Sequence, residues 1–251
     1  MTRSMRRLLW LMQLISLASL LVWAIVDLRF EFLANWLVAN AQSQNSAAGF
    51  IDQVGQVRAA LFTAIMVSAA LAMCLLLTDL LRSRSVGRFG PVCTMLSLTC
   101  LIAVWLGLLI NLNAIAWQGK RAGLALDVAQ LEAIKSPLVE RWPTEDGHLP
   151  SLGPFMAYPF GKPTTLLLLQ SPRVAGTAFF IAAVERSESG AIRLQLTGTE
   201  FDDWAEWHPP GSHPSSFVGG LGDPHDLVQQ ATLRDGWHLV RYQNSVTTRP
   251  R

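Results

Sequence analysis

Apolar positions fall into two different rhythms along this chain. In the first half they come as long runs. Leu8 to Val26 is interrupted only by Gln13, Ser16 and Ser19, Ala59 to Leu77 is equally long, and a third run extends from Val92 to Leu112 after Pro91. At roughly 1.5 Å per helical residue each run covers about 30 Å, the thickness of a bilayer's hydrocarbon core. The pattern predicts three transmembrane helices over 8–26, 59–77 and 92–112. They are joined by an outer loop (27–58) and a cytoplasmic loop (78–91). Within the outer loop Phe30, Leu33, Trp36 and Leu37 recur at helical spacing, which predicts a short helix lying in the membrane interface.

The second rhythm starts near residue 118. Leu124, Val128, Leu131 and Ile134 share one helical face, and Pro137 is expected to end or kink that helix, with Ser136-Pro137 able to restart a short one through Trp142. Strand-like stretches follow over 164–170, 177–185 and 191–197. A further pair, 227–233 and 237–242, flanks the Asp235-Gly236 turn. Four or five strands with short links favour an antiparallel sheet whose one face the leading helix covers. The expected architecture is therefore three transmembrane α-helices (1–117) followed by a small α+β domain (118–251).

Charge gives the arrangement a direction. Residues through Trp117 hold eight arginines and four acids, net +4, whereas the remainder holds twelve basic and fourteen acidic residues, net −2. Arg3, Arg6 and Arg7 precede the first run and Arg82, Arg84 and Arg88 fill the second link, so these ends are expected in the cytoplasm and the C-terminal domain on the other side. The first run is read as a retained signal anchor, because it exceeds an ordinary signal-peptide core and Ala39-Asn40-Ala41 lies well beyond it. The weakly acidic second half lacks the basic stripe of a nucleic-acid binder.

Within the runs, Ala60, Ala64, Ser68 and Ala72, and likewise Thr99, Ala103, Gly107 and Asn111, place small or polar residues every four positions. These faces suit close helix approach and homo-oligomer formation. Gln13, Asn111 and Asn113 are expected to hold the bundle together by hydrogen bonds rather than to line a polar path. Cys74, Cys93 and Cys100 are expected to act as small apolar fillers, with no disulfide framework in the domain.

Two constellations could carry chemistry. Thr199 to Asp202 resembles a capping box, and Phe201, Trp204 and Trp207 follow at spacing three, which predicts a short core helix with Asp202, Asp203 and Glu206 outward. Trp204 and Trp207 beside those acids could also hold a sugar or calcium. The second is the proline- and glycine-rich loop 208–226, with His208, His213, His225 and Asp226, whose spacing fits no recognised zinc set. His148 and His238 are expected in a turn and a strand. No nucleophile elbow, phosphate loop or dinucleotide fingerprint occurs. No cofactor or metal is expected. The expected function is a non-catalytic extracytoplasmic domain that binds a partner protein or envelope ligand. The alternative is a membrane-tethered hydrolase or metal-dependent enzyme using loop 208–226.

Overall fold

A computed structural model describes residues 2–27, 29–40, 55–82, 90–174, 179–198 and 201–244. It divides into two compact units, Met1–Gln118 and Gly119–Arg251.

The first unit is helical. It contains α1 (Arg3–Val26), α2 (Phe30–Asn40), α3 (Gln56–Arg82), α4 (Gly90–Ile110) and the start of α5 (Leu112–Leu126). Helices α1 and α3 are each long and apolar enough to cross a membrane; α4 and α5 qualify only as a pair, bent by 67°. Two helices therefore have the length and composition of a membrane span, and the third expected span falls on the bent pair, which counts as a third only if the pair is taken as one. Outward-facing Leu11, Ile15, Val22, Val67, Leu71 and Leu96 give these helices an apolar exterior, as lipid requires.

Polar side chains in this unit are spent on helix pairing. Gln13 Nε2 donates to the Ala69 carbonyl at 2.6 Å, and its Oε1 accepts from Trp105 Nε1 at 2.9 Å, joining α1, α3 and α4. Arg6 pairs with Asp79 at 2.8 Å and Asn113 donates to Asn35 at 2.8 Å. Phe30 and Leu33 are fully buried, so α2 packs inward instead of only skimming an interface. The small-residue stripe on α3 packs at one end only: Ala72 is buried and Ser68 meets Ser16 at 3.3 Å, while Ala60 and Ala64 are exposed, and Thr99, Ala103 and Gly107 on α4, with Asn111 after it, face out. The three cysteines are exposed, not core fillers.

The second unit completes α5, adds α6 (Val128–Glu140) and continues as nine strands. Leu124, Val128, Leu131 and Ile134 are buried as expected. Pro137 neither ends α6 nor restarts it; the helix runs to Glu140, with Ser136 Oγ donating to the Glu132 carbonyl at 2.9 Å one turn back. A proline near the last turn forfeits a single backbone hydrogen bond there.

The strands are β1 (Gly147–Leu149), β2 (Gly153–Tyr158), β3 (Thr165–Leu168), β4 (Phe180–Arg186), β5 (Ile192–Thr197), β6 (Asp202–Trp207), β7 (Phe217–Val218), β8 (Pro224–Thr232) and β9 (Trp237–Asn244). They form one antiparallel sheet in the order β1-β2-β3-β4-β5-β6-β9-β8-β7. The expectation of four or five strands was too low. β1 and β7 have only three and two residues, and β2 opens on Gly153-Pro154, so period-two alternation has little length in which to show. β6 is the larger correction, because 202–207 is a strand and not a helix; Thr199 and Glu200 of the supposed cap lie outside the described residues.

Topology explains the loop's place. The chain runs in sequence from β1 to β6, then skips two strand positions to form β7 at the far edge, and returns through β8 and β9 to pair with β6. The 208–216 segment makes that skip, meeting the sheet where His208 reaches Glu206 and the Ser215 carbonyl accepts from Tyr242 Oη. Lys120, Glu132 and Lys135 meet Asp203, Trp237 and Trp207 on one face. The loop covers the other.

Candidate functional site

Pairing register builds the loop-covered face. Thr165 on β3 lies opposite Glu185 on β4, Glu185 opposite Arg193 on β5, Arg193 opposite Glu206 on β6, and Glu206 opposite His238 on β9. Directly opposed residues project to the same side of a sheet. Five neighbouring strands thus present an unbroken row of polar and ionisable side chains, and Glu185, Arg193 and Glu206 in it are buried.

Each buried charge has a partner supplied by the sheet or the loop. Glu206 accepts from Tyr242 Oη at 2.7 Å, meets His208 Nε2 at 2.8 Å and lies 3.5 Å from Arg193 Nε. The guanidinium of Arg193 also sits 3.8 Å over the Phe217 ring, an attraction worth about 1–2 kcal/mol when shielded from water. Glu185 accepts the Gly220 amide at 3.0 Å and the Thr165 hydroxyl at 3.4 Å. Burial pushes the Glu185 carboxyl above its ordinary range, and the Gly220 hydrogen bond and the charges of His225 and Arg193 offset this only in part.

At the adjoining end of the face, His225 is buried between two carboxylates. Its Nδ1 lies 2.5 Å from Asp202 Oδ2 and its Nε2 2.8 Å from Asp223 Oδ2. Burial alone would lower its pKa. The Asp202 hydrogen bond and the charges of Asp202, Asp223 and Glu185 more than reverse this, and the ring titrates above its usual value. Phe217 stacks on it at 4.7 Å and Trp204 approaches edge-on at 5.2 Å.

Two glycines let the loop come this close. A Cβ on Gly220 would stand 1.9 Å from Thr165 Oγ1, and one on Gly219 would stand 2.6 Å from Asp223 Oδ1. Beside them opens a cleft of about 430 Å³ between the β4–β5 turn and the loop, walled by Glu185, Arg193, Phe217, Gly219, Gly220 and Ser187 to Ser189. A second cleft of about 670 Å³ shares Thr164, Arg186, Ser187 and Glu188 with the first and continues past Lys162 to Trp142. Together they form a groove with Lys162, Arg186 and Arg193 along it.

Of the residues singled out from sequence, Trp204 and His225 come together here, and His208 joins the row through Glu206. Trp207 belongs to the opposite face, under the Lys135 ammonium at 4.2 Å. His213 and Asp226 are exposed, so the three loop histidines do not converge. Among the described residues no group of three His, Cys, Asp or Glu is arranged to hold a metal ion. Asp202, Asp203 and Glu206 are not the outward acids of a helix; Asp203 and Glu206 are fully buried. His148 belongs to β1, not a turn, and His238 to β9 as expected.

Glu185, Arg193 and Tyr242 escaped the sequence reading. Their only signal was a charge or hydroxyl inside otherwise apolar strands, which register alone turns into a row. Comparison of the chain with family models, curated proteins and solved structures gives no match.

Proposed function

We propose that this is an integral membrane protein whose extracytoplasmic domain is a non-catalytic binding module for a partner protein or envelope ligand, docked in the groove between the β4–β5 turn and loop 217–220. The observation that supports this reading most is the groove itself. Its two clefts adjoin, and it carries two exposed cations, Lys162 and Arg186, against the single exposed acid Glu188, beside a Glu185 whose burial favours the neutral form and an Arg193 already paired with Glu206. That balance suits an extended ligand bearing acidic groups. The arginine bias around the apolar helices supports a cytoplasmic N-terminus.

A photo-crosslinking residue at Glu188 in the full chain, irradiated in native membranes, tests the binding role. A product that forms from position 188, is absent from Val228 on β8, and is lost on R186E/K162E is expected. Equal products from both positions, or insensitivity to the charge reversal, would sink it. Reporter fusions after Arg251 and at Arg84 test orientation, and a cytoplasmic signal after Arg251 would overturn it.

One observation favours a second reading, a tethered hydrolase. Ser212 Oγ lies 3.0 Å from His208 Nδ1, and His208 Nε2 lies 2.8 Å from Glu206. A hydroxyl, imidazole and carboxylate in series is the order a nucleophilic relay needs. Labelling of the full chain by a fluorophosphonate, abolished in S212A, would establish that reading in place of the binding one.

A further inference from the structure

We propose that His225, on β8, is a proton-operated latch that holds the β7–β8 turn, residues 219–223, in place and thereby sets access to the groove. The inference rests on the groove being the binding site, and its geometry is independent of any ligand. An imidazole can donate from both ring nitrogens only when doubly protonated. His225 faces one carboxylate from β6 and another from the loop, at 2.5 and 2.8 Å. Loss of one proton leaves one of those carboxylates facing a bare nitrogen lone pair. The arm to Asp202 joins β8 to β6; the arm to Asp223 fixes the β7–β8 turn, whose Gly219 amide donates to the Asp223 carbonyl at 2.7 Å.

The groups facing His225 on every side favour the charged ring. Asp202 stands on β6, Asp223 in the loop and Glu185 on β4. Phe217 stacks on the ring, with Trp204 and Tyr242 edge-on. Arg193, the nearby cation, is drawn off by Glu206 and the other side of Phe217. Asp226, next in the chain, is exposed. The second fastening obeys the same sign. Gly220 is held by Glu185, a carboxyl whose burial opposes ionisation, so at higher pH its charge carries a desolvation cost that the Gly220 hydrogen bond and the nearby cations offset only in part.

Both effects lead to one direction. His225 titrates above its usual value, so its contribution is complete below about pH 6.5 and is lost as pH rises through the raised folded value. Glu185 likewise costs more as pH climbs above the ordinary carboxylate range. The loop is therefore seated at acidic pH and released on the alkaline side, exposing the Phe217 to Gly220 wall of the groove.

Hydrogen exchange of the full chain in detergent micelles, without added ligand, reads the latch directly. Protection of the Gly219 and Gly220 amides, corrected for intrinsic rate, is expected to fall about ten-fold or more between about pH 5.5 and 9, while β5 and β9 amides keep theirs. H225Q should give low loop protection with a much shallower pH dependence, the remainder being that of Glu185. If H225Q fails to fold, D223N, which removes only the loop arm, should retain part of the dependence. Flat wild-type protection would overturn the latch. So would an H225Q loop that titrates as steeply as the wild type, which would move the switch to Glu185. Because no ligand is present, these outcomes are separate from failure of the crosslinking test.

Discussion

The two units of this protein dispose of buried polar groups in opposite ways. In the helical unit a few neutral side chains bridge helices: Gln13 to Ala69 and Trp105, and Asn113 to Asn35. Its cleanest ion pairs, Arg6–Asp79 and Arg58–Asp27, lie at helix ends and remain partly exposed. In the sheet unit full charges are buried outright. Asp203 lies between Lys120 at 2.7 Å and Arg241 at 2.7 Å, and Glu206 between His208, Tyr242 and Arg193. A hydrocarbon surround leaves a charge no recourse to water, whereas a folded domain can supply several fixed partners at once. Among the described residues the bundle fully buries one acid, Glu31, while the domain buries Lys120, Glu185, Arg193, Asp203, Glu206 and Arg241, so most of the electrostatic commitments lie in the domain.

The contrast can be broken most directly at Asp203. Replacing it with alanine removes the carboxylate that buried Lys120 and Arg241 share, and a loss of about 3–5 kcal/mol is expected from thermal unfolding of the domain. A loss below about 1 kcal/mol would show that the ion cluster is less shielded than its geometry implies.

Gly220→Ala comes next. With Thr165 Oγ1 1.9 Å from the new methyl, the loop must lift, and a cost of about 1–3 kcal/mol is expected. T165A should restore part of it, because it removes the closest atom. Equal instability with and without T165A would place the strain elsewhere.

A third expectation concerns pH. Unfolding of the domain should become easier as pH rises above about 6.5, because the folded His225 holds its proton more tightly than the unfolded one. In H225Q the slope should shrink. A rise in stability over that range would contradict the assigned environment.

The smallest effect is expected in the bundle. Gln13→Leu removes two hydrogen bonds, yet comparable membrane contacts are worth about 0.6–1.7 kcal/mol each at most. Helix dissociation measured in micelles should shift by about that amount. A loss matching that of Asp203→Ala would erase the distinction between the two units.

Much of the fold was legible from local pattern. The apolar runs located α1 and α3, the Leu124-to-Ile134 stripe identified the buried helical face, and the Asp235-Gly236 turn located the β8–β9 hairpin. The candidate site was legible only in part. Loop 208–226 stood out by composition, and Trp204, His208 and His225 do meet the same face of the sheet. The acids of β6 were misplaced because Phe201, Trp204 and Trp207 repeat at a spacing that suits a helix. Buried pairing on both faces makes the same residues a strand, since each side then accepts large or ionisable groups.

The sequence by itself determined the division into an apolar anchor and a mixed domain, the charge asymmetry between them, and the helix-then-sheet order, because these depend on runs and periods within a single segment. Only the tertiary structure decided which residues became neighbours. Thr165, Glu185, Arg193, Glu206 and His238 are scattered over more than seventy positions and form one row because five strands pair in a particular register. A one-residue slip in any pairing would send that strand's member of the row to the other face. His225 likewise meets Asp202 only because the chain skips two strand positions before returning to β9.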